Sequence, residues 1–149
     1  MARITLLGSS SGRNAGDAAL LSGIMDSIDY EMGARQRYEI PTIKPSFIRH
    51  NYQNDVVPIS MLPWHGSLKL LGFPTARSIF QSDLSLVFDA ILFDRALYNP
   101  LFNYLSTLRL LLPLARRQGK RMACYNVSVG PIHTKAGAHM LREVCAQMD

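Results

Sequence analysis

An α/β fold, a parallel sheet with helices on both faces, is predicted for this 149-residue chain by three observations. Short apolar runs alternate with stretches of helical periodicity, the order of β-α-β units. The first run, residues 3–7, breaks into a Gly/Ser loop and then into an apolar-periodic helix. The last, residues 122–129, passes through Gly130-Pro131 into another helix. With 48% hydrophobic residues the chain can bury a core of single-domain size, and no linker or internal repeat divides it.

Residues 3–7 form the first strand, expected at the centre of the sheet. The first helix runs from Asp17 to about Met32, with Leu21, Ile24, Met25, Ile28 and Met32 on one face and Gly33 ending it. A second strand at residues 37–40 ends at Pro41. From Thr42 to Pro74 the signal weakens. Pro45, Pro58, Pro63 and Pro74 punctuate short apolar pieces such as Val56-Val57, so irregular structure and short helices are expected there. A short helix at residues 76–81 and a buried strand at 84–88 follow. Asn99-Pro100, a cap followed by proline at the first helical position, opens a long helix that turns Phe102, Leu105, Leu108, Leu112 and Ala115 inward. Pro113 is expected to kink or interrupt it, and Gly119 to end it. After the strand at 122–129, a final helix starts at Thr134.

Sixteen Lys and Arg against eleven Asp and Glu give a net charge of +5, which suits an acidic small molecule, an anionic glycan or lipid head group, or nucleic acid. Nucleic acid is not expected as a partner, because the basic clusters Arg116-Arg117 and Lys120-Arg121 sit at a helix end and a strand start without interleaved aromatics. The longest apolar segment, residues 108–114, is interrupted by Arg109 and Pro113, so no transmembrane segment is expected. Arg3 is followed by four apolar or small residues before the glycine loop, too few for a signal peptide, and the cytoplasm is the expected compartment. Cys124 and Cys145 read as reduced, buried thiols. His50, His65, His133 and His139 contain no close pair at ligand spacing, and no metal is expected.

The first loop carries the strongest functional signal. Loops at the carboxyl ends of parallel strands are where such sheets bind ligands, and a following helix N-terminus favours an anion. Gly8, Gly12 and Gly16 recur every four residues, which fits neither the dinucleotide nor the phosphate-loop spacing. Asp17, expected at the N-cap, competes with a phosphate for the helix N–H groups. The stretch Asn14-Ala15-Gly16-Asp17-Ala18-Ala19-Leu20-Leu21 after a strand resembles the amino-terminal motif of the polysaccharide pyruvyl transferase family, Asn-x-Gly-Asp-Glu-Ala-x-Leu. Two later stretches come in the family's order. Residues 83–94 resemble its buried strand and a loop closing on an aspartate, and residues 120–132 resemble its strand ending in Gly-Pro before a helix. Where many members carry a glycine run, this chain reads Val87-Phe88-Asp89-Ala90.

The resemblance implies a three-layer Rossmann-like domain, the amino-terminal lobe of a two-lobed architecture similar to glycosyltransferase-B enzymes. It also implies transfer of pyruvyl from phosphoenolpyruvate to two hydroxyls of a saccharide, forming a cyclic ketal and releasing phosphate, with no cofactor. Such chemistry needs a proton donor for the enol carbon, a base for the sugar hydroxyl and cations for carboxylate and phosphate. The family's phosphoenolpyruvate-binding residues lie largely in the second lobe, so no catalytic residue is assigned and this chain alone is expected to be inactive. The substrate-binding candidates are Gly12, Arg13, Asn14, Gly16 and Asp17 in the first loop, Asp89 and Asp94 beyond the strand at 84–88, and Gly130, Pro131 and His133 after the last strand. Arg13 suits an anion, and Asp17, Asp89 and Asp94 suit sugar hydroxyls. Simpler roles stand beside these: Asp17 as a helix cap, Asp94 as a partner of Arg95 or a turn cap, Asn14 as a turn former.

Two other classes fit parts of the chain. A flavodoxin-like, FMN-dependent reductase would cradle its flavin phosphate in Ser9-Ser10-Ser11-Gly12-Arg13, although Asp17 and the order of the later motifs count against it. A non-catalytic glycan-binding lobe would leave an apolar face exposed and form a homo-oligomer through it. Trp64 beside His65 suits either sugar stacking or anchoring of its own loop.

Overall fold

The computed structural model describes residues 1–8, 14–60, 73–98 and 103–149. Five parallel strands form one sheet in the order β3-β2-β1-β4-β5. The strands are β1 (Arg3–Leu7), β2 (Arg37–Thr42), β3 (Asp55–Ser60), β4 (Leu84–Leu92) and β5 (Arg121–Val129). Helices α1 (Ala15–Glu31) and α2 (Pro45–Asn51) pack on one face, against Ile4, Leu6, Tyr38, Ile40 and Leu86. Helices α3 (Phe73–Gln81), α4 (Tyr104–Arg117) and α5 (Lys135–Cys145) pack on the other, around Leu7, Val87, Ile91 and Met122. This is the three-layer Rossmann-like arrangement that the alternation of elements predicts. From β1 the chain winds outward through β2 and β3, then returns to β4 and winds the opposite way. Right-handed crossovers running in opposite directions place their helices on opposite faces.

Several boundaries differ from expectation, each for a local reason. The N-cap of α1 is Asn14 rather than Asp17. Asn14 Oδ1 accepts the Gly16 N–H at 2.9 Å, and its Nδ2 donates to Asp17 Oδ1 at 3.0 Å, which leaves Asp17 inside the first turn. Leu21, Ile24 and Met25 are buried as expected, but Met32 is 58% exposed because α1 stops at Glu31. Gly33, at φ +61°, ends the helix. Strand β2 continues through Pro41 because the last β1–β2 pair is Thr5 with Glu39, so Pro41 needs a partner only in β3. The segment expected to hold irregular structure and short helices does contain the short helix α2, but it also contains β3, which tolerates Pro58 as an edge strand.

Strand β4 runs past Phe88 to Leu92, since β5 follows it through two irregularities in register. Helix α4 opens at Tyr104 with Asn103 as its N-cap, whose Oδ1 accepts the Ser106 N–H at 2.9 Å. Asn99-Pro100 and Phe102 lie outside the described residues. The helix continues through Pro113 to Arg117, and Gly119 follows at φ +72°. The final helix, expected from Thr134, begins at Lys135 with Thr134 as its N-cap, whose Oγ1 accepts the Gly137 N–H at 2.9 Å. Cys124 is half-buried and Cys145 exposed, so neither is the fully buried thiol expected. Among the described residues no helix is long and apolar enough to cross a membrane.

Candidate functional site

Parallel strands deliver their loops to one rim, and β1, β4 and β5 are neighbours in this sheet. Strand order reverses between β1 and β4, which is where doubly wound sheets open a ligand crevice. The last pair of the two strands is Leu7 with Val87. Gly8 then has to be a glycine, because a Cβ there would stand 2.5 Å from the Phe88 ring. Asn14, Gly16 and Asp17 begin α1 on one side of this point, and Asp89 stands on β4 at the other.

Asp89 occupies the left-handed region at φ +67°, pairs with Val127, and is flanked by the two register shifts; Asn126 on β5 is also left-handed, at φ +54°. Asp and Asn adopt this conformation at lower cost than other side chains, and a bulge turns a side chain out of the regular alternation. The Asp89 carboxylate is half-buried, and among the described residues no hydrogen bond or ion pair reaches it. Its charge is felt by Tyr104, whose hydroxyl is pushed up to about 12, first by burial and then by Asp89.

Asp94 is used differently. Its Oδ2 accepts the His133 N–H at 2.8 Å, the Thr134 N–H at 2.6 Å and the Thr134 hydroxyl at 2.8 Å. Its own N–H donates to the Pro131 carbonyl at 3.3 Å. Burial by itself raises this carboxyl, but the donors from Thr134 and His133 outweigh it and hold Asp94 below the usual carboxylate range. Gly137 allows α5 to approach, since a Cβ there would lie 2.5 Å from the Asp94 Cβ. Gly130, at φ +103° before a cis bond to Pro131, donates its N–H to the Leu92 carbonyl at 2.7 Å. Asp94, Gly130, Pro131 and His133 are therefore brought together, and what joins them is a clasp on the β5–α5 turn. His133 itself is exposed.

The start of α1 is already furnished with acceptors. Asn14 holds the Gly16 N–H, and Asp17 brings a carboxylate that also raises Tyr52, after burial. Ser9, Ser10, Ser11, Gly12, Arg13, Trp64 and His65 lie outside the described residues. Among the described residues no group of three or more His, Cys, Asp or Glu side chains could hold a metal.

Sequence reasoning passed over Asn103, Tyr104 and Asn126. Asn103 was accessible, as an Asn three residues before Ser106, where a cap accepts from the first turn. Asn126 gave no signal, because it interrupts an otherwise regular strand run. Comparison with known proteins found no family model, no curated protein and no solved structure that matches this chain. The resemblance to polysaccharide pyruvyl transferases therefore rests on the three motifs alone.

Proposed function

We propose that this chain binds a small polyhydroxylated ligand at the rim between β1 and β4, and that the chemistry it serves is pyruvyl transfer from phosphoenolpyruvate to a saccharide. The observation that carries the reading is Asp89, a half-buried carboxylate on a bulged strand at the point of strand-order reversal, with no hydrogen-bond donor of its own among the described residues. A carboxylate so placed accepts from sugar hydroxyls, and in ketal formation the same contact orients the attacking oxygen. The start of α1 supports a neutral ligand over a phosphate, because Asn14 occupies the Gly16 N–H and Asp17 opposes an anion. That weighs against the flavin-binding alternative.

The test is a titration of galactosyl and N-acetylhexosamine saccharides followed by amide chemical shifts. Shifts are expected at Gly8, at Asn14 to Asp17 and around Asp89, with Asp89→Asn weakening binding by about tenfold. Shifts confined to other regions, or an unchanged affinity in Asp89→Asn, would remove the assignment. No phosphate release from phosphoenolpyruvate is expected from this chain alone with the bound acceptor, and release above background would show that it carries the transfer chemistry by itself.

A second reading, self-association, is favoured by one feature. An apolar groove of about 320 Å³ lies between α1 and β4–β5, lined by Ile28, Met32, Leu84, Leu86 and Tyr125, with Tyr125 46% exposed. Sedimentation over a concentration series decides it, and a monomer throughout would exclude it.

A further inference from the structure

The β2–β3 half of the sheet contains a second candidate cavity, lined from β2, β3 and α3. Alternation along β1 and β2 turns Thr5 and Glu39 toward α3, into a layer that is polar rather than apolar. Ser78 Oγ donates to Glu39 Oε2 at 2.5 Å and shares a hydrogen bond of 2.8 Å with Thr5 Oγ1. Arg3 Nε approaches Glu39 Oε1 at 3.4 Å, and the Glu39 side chain is only 9% exposed. Among the described residues Oε1 receives no hydrogen bond beyond that approach. A carboxylate taken this far out of water is costly unless its acceptor capacity is filled.

A cavity of about 280 Å³ opens at this point between α3 and β2–β3. Glu39 and Ser78 give it a polar lining, and Ile59, Phe73 and Pro74 give it apolar walls. Arg77 also lines it, exposed, and among the described residues no acidic group pairs with its guanidinium. The volume lies just below the roughly 300–1,000 Å³ of pockets for drug-sized molecules, so the occupant is compact.

We propose that this cavity binds a free aliphatic α-amino acid, with its ammonium on Glu39 Oε1, its carboxylate on Arg77 and its side chain against Ile59, Phe73 and Pro74. A simple amine leaves Arg77 unanswered. A simple carboxylate answers Arg77 but brings an anion to Glu39. The zwitterion satisfies both groups, and charge-assisted contacts at two ends of one small molecule are the strong kind.

The experiment is an amide chemical-shift titration of the whole chain with L-leucine, with L-leucinamide, which lacks the carboxylate, and with 4-methylpentanoate, which lacks the ammonium. L-leucine is expected to move the Ile59, Arg77 and Ser78 amides, and each analogue to bind about tenfold more weakly or worse. Arg77→Ala, an exposed position that leaves the fold intact, is expected to weaken L-leucine by about tenfold and to leave L-leucinamide unchanged. Glu39→Gln is expected to abolish binding of both ammonium compounds, and if that variant does not fold, Arg77→Ala still decides the matter. The proposal is overturned by unmoved amides at saturating L-leucine. Equal binding of L-leucinamide, the behaviour of a site for peptide amino termini, overturns it too, as does indifference to Arg77→Ala.

Discussion

Asp89 and Asp94 lie at the same end of β4, yet the chain surrounds them in opposite ways. Asp94 collects three donors from the turn before α5, and its side chain fills the space that Gly137 leaves open. Asp89 has no donor among the described residues and is held in a backbone conformation that costs free energy. The difference teaches that an aspartate after a strand says little about ligand binding until its donors are counted. One of the two completes the fold, and the other is, among the described residues, left without a donor.

The largest effect that would break this comparison is in stability. Asp94→Ala is expected to lower the melting temperature most, with loss of amide-exchange protection in α5, whereas Asp89→Asn, which removes the charge and still suits the left-handed backbone, leaves both nearly unchanged. Equal losses would show that the two carboxylates are not used differently. The Asp94 contribution also has a pH signature. Its folded value lies below its ordinary 3.8, so its stabilisation is present above 3.8 and is lost as pH falls through the folded value. Asp149, held down by Arg116 and the Met122 N–H, acts in the same direction. Thermal melts through the acid range are therefore expected to fall less steeply in Asp94→Ala than in the parent.

Next in size is Gly137→Ala, which drives a methyl into Asp94. Urea unfolding is expected to show a loss of about 1–3 kcal/mol, despite the better helix propensity of alanine. Asn14→Ala removes the cap of α1 and is expected to cost about 1 kcal/mol in the same assay. The smallest effect sharpens the contrast by its sign. Asp89→Gly relieves the left-handed strain and is expected to stabilise by no more than about 1 kcal/mol while losing the proposed saccharide contact. A destabilised Asp89→Gly would mean that the Asp89 side chain supports the fold.

Much of the scaffold was legible because its signals are local. Helical spacing of Leu21, Ile24 and Met25, the glycines at positions 33 and 119, and Thr134 before its helix each act within one turn of chain, and each reads the same in the structure. The candidate site was legible only as a set of loops. Asn14, Gly16 and Asp17 lie at the start of α1, Asp89 within β4, and Asp94 and Gly130 beyond the ends of β4 and β5, but nothing near Asp94 in sequence announces that Thr134 will claim it from 40 positions away. The sequence by itself determined the element types and their apolar faces, through periodicity and capping. Tertiary structure alone decided that Pro41 could sit in a strand, that Val56-Val57 would form an edge, that Glu39 would be buried under Ser78, and that one of two similar aspartates would gather three donors while the other took a left-handed backbone. Those outcomes depend on which strand lies alongside and in what register, a pairing made between segments far apart in the chain and invisible to any short window of it.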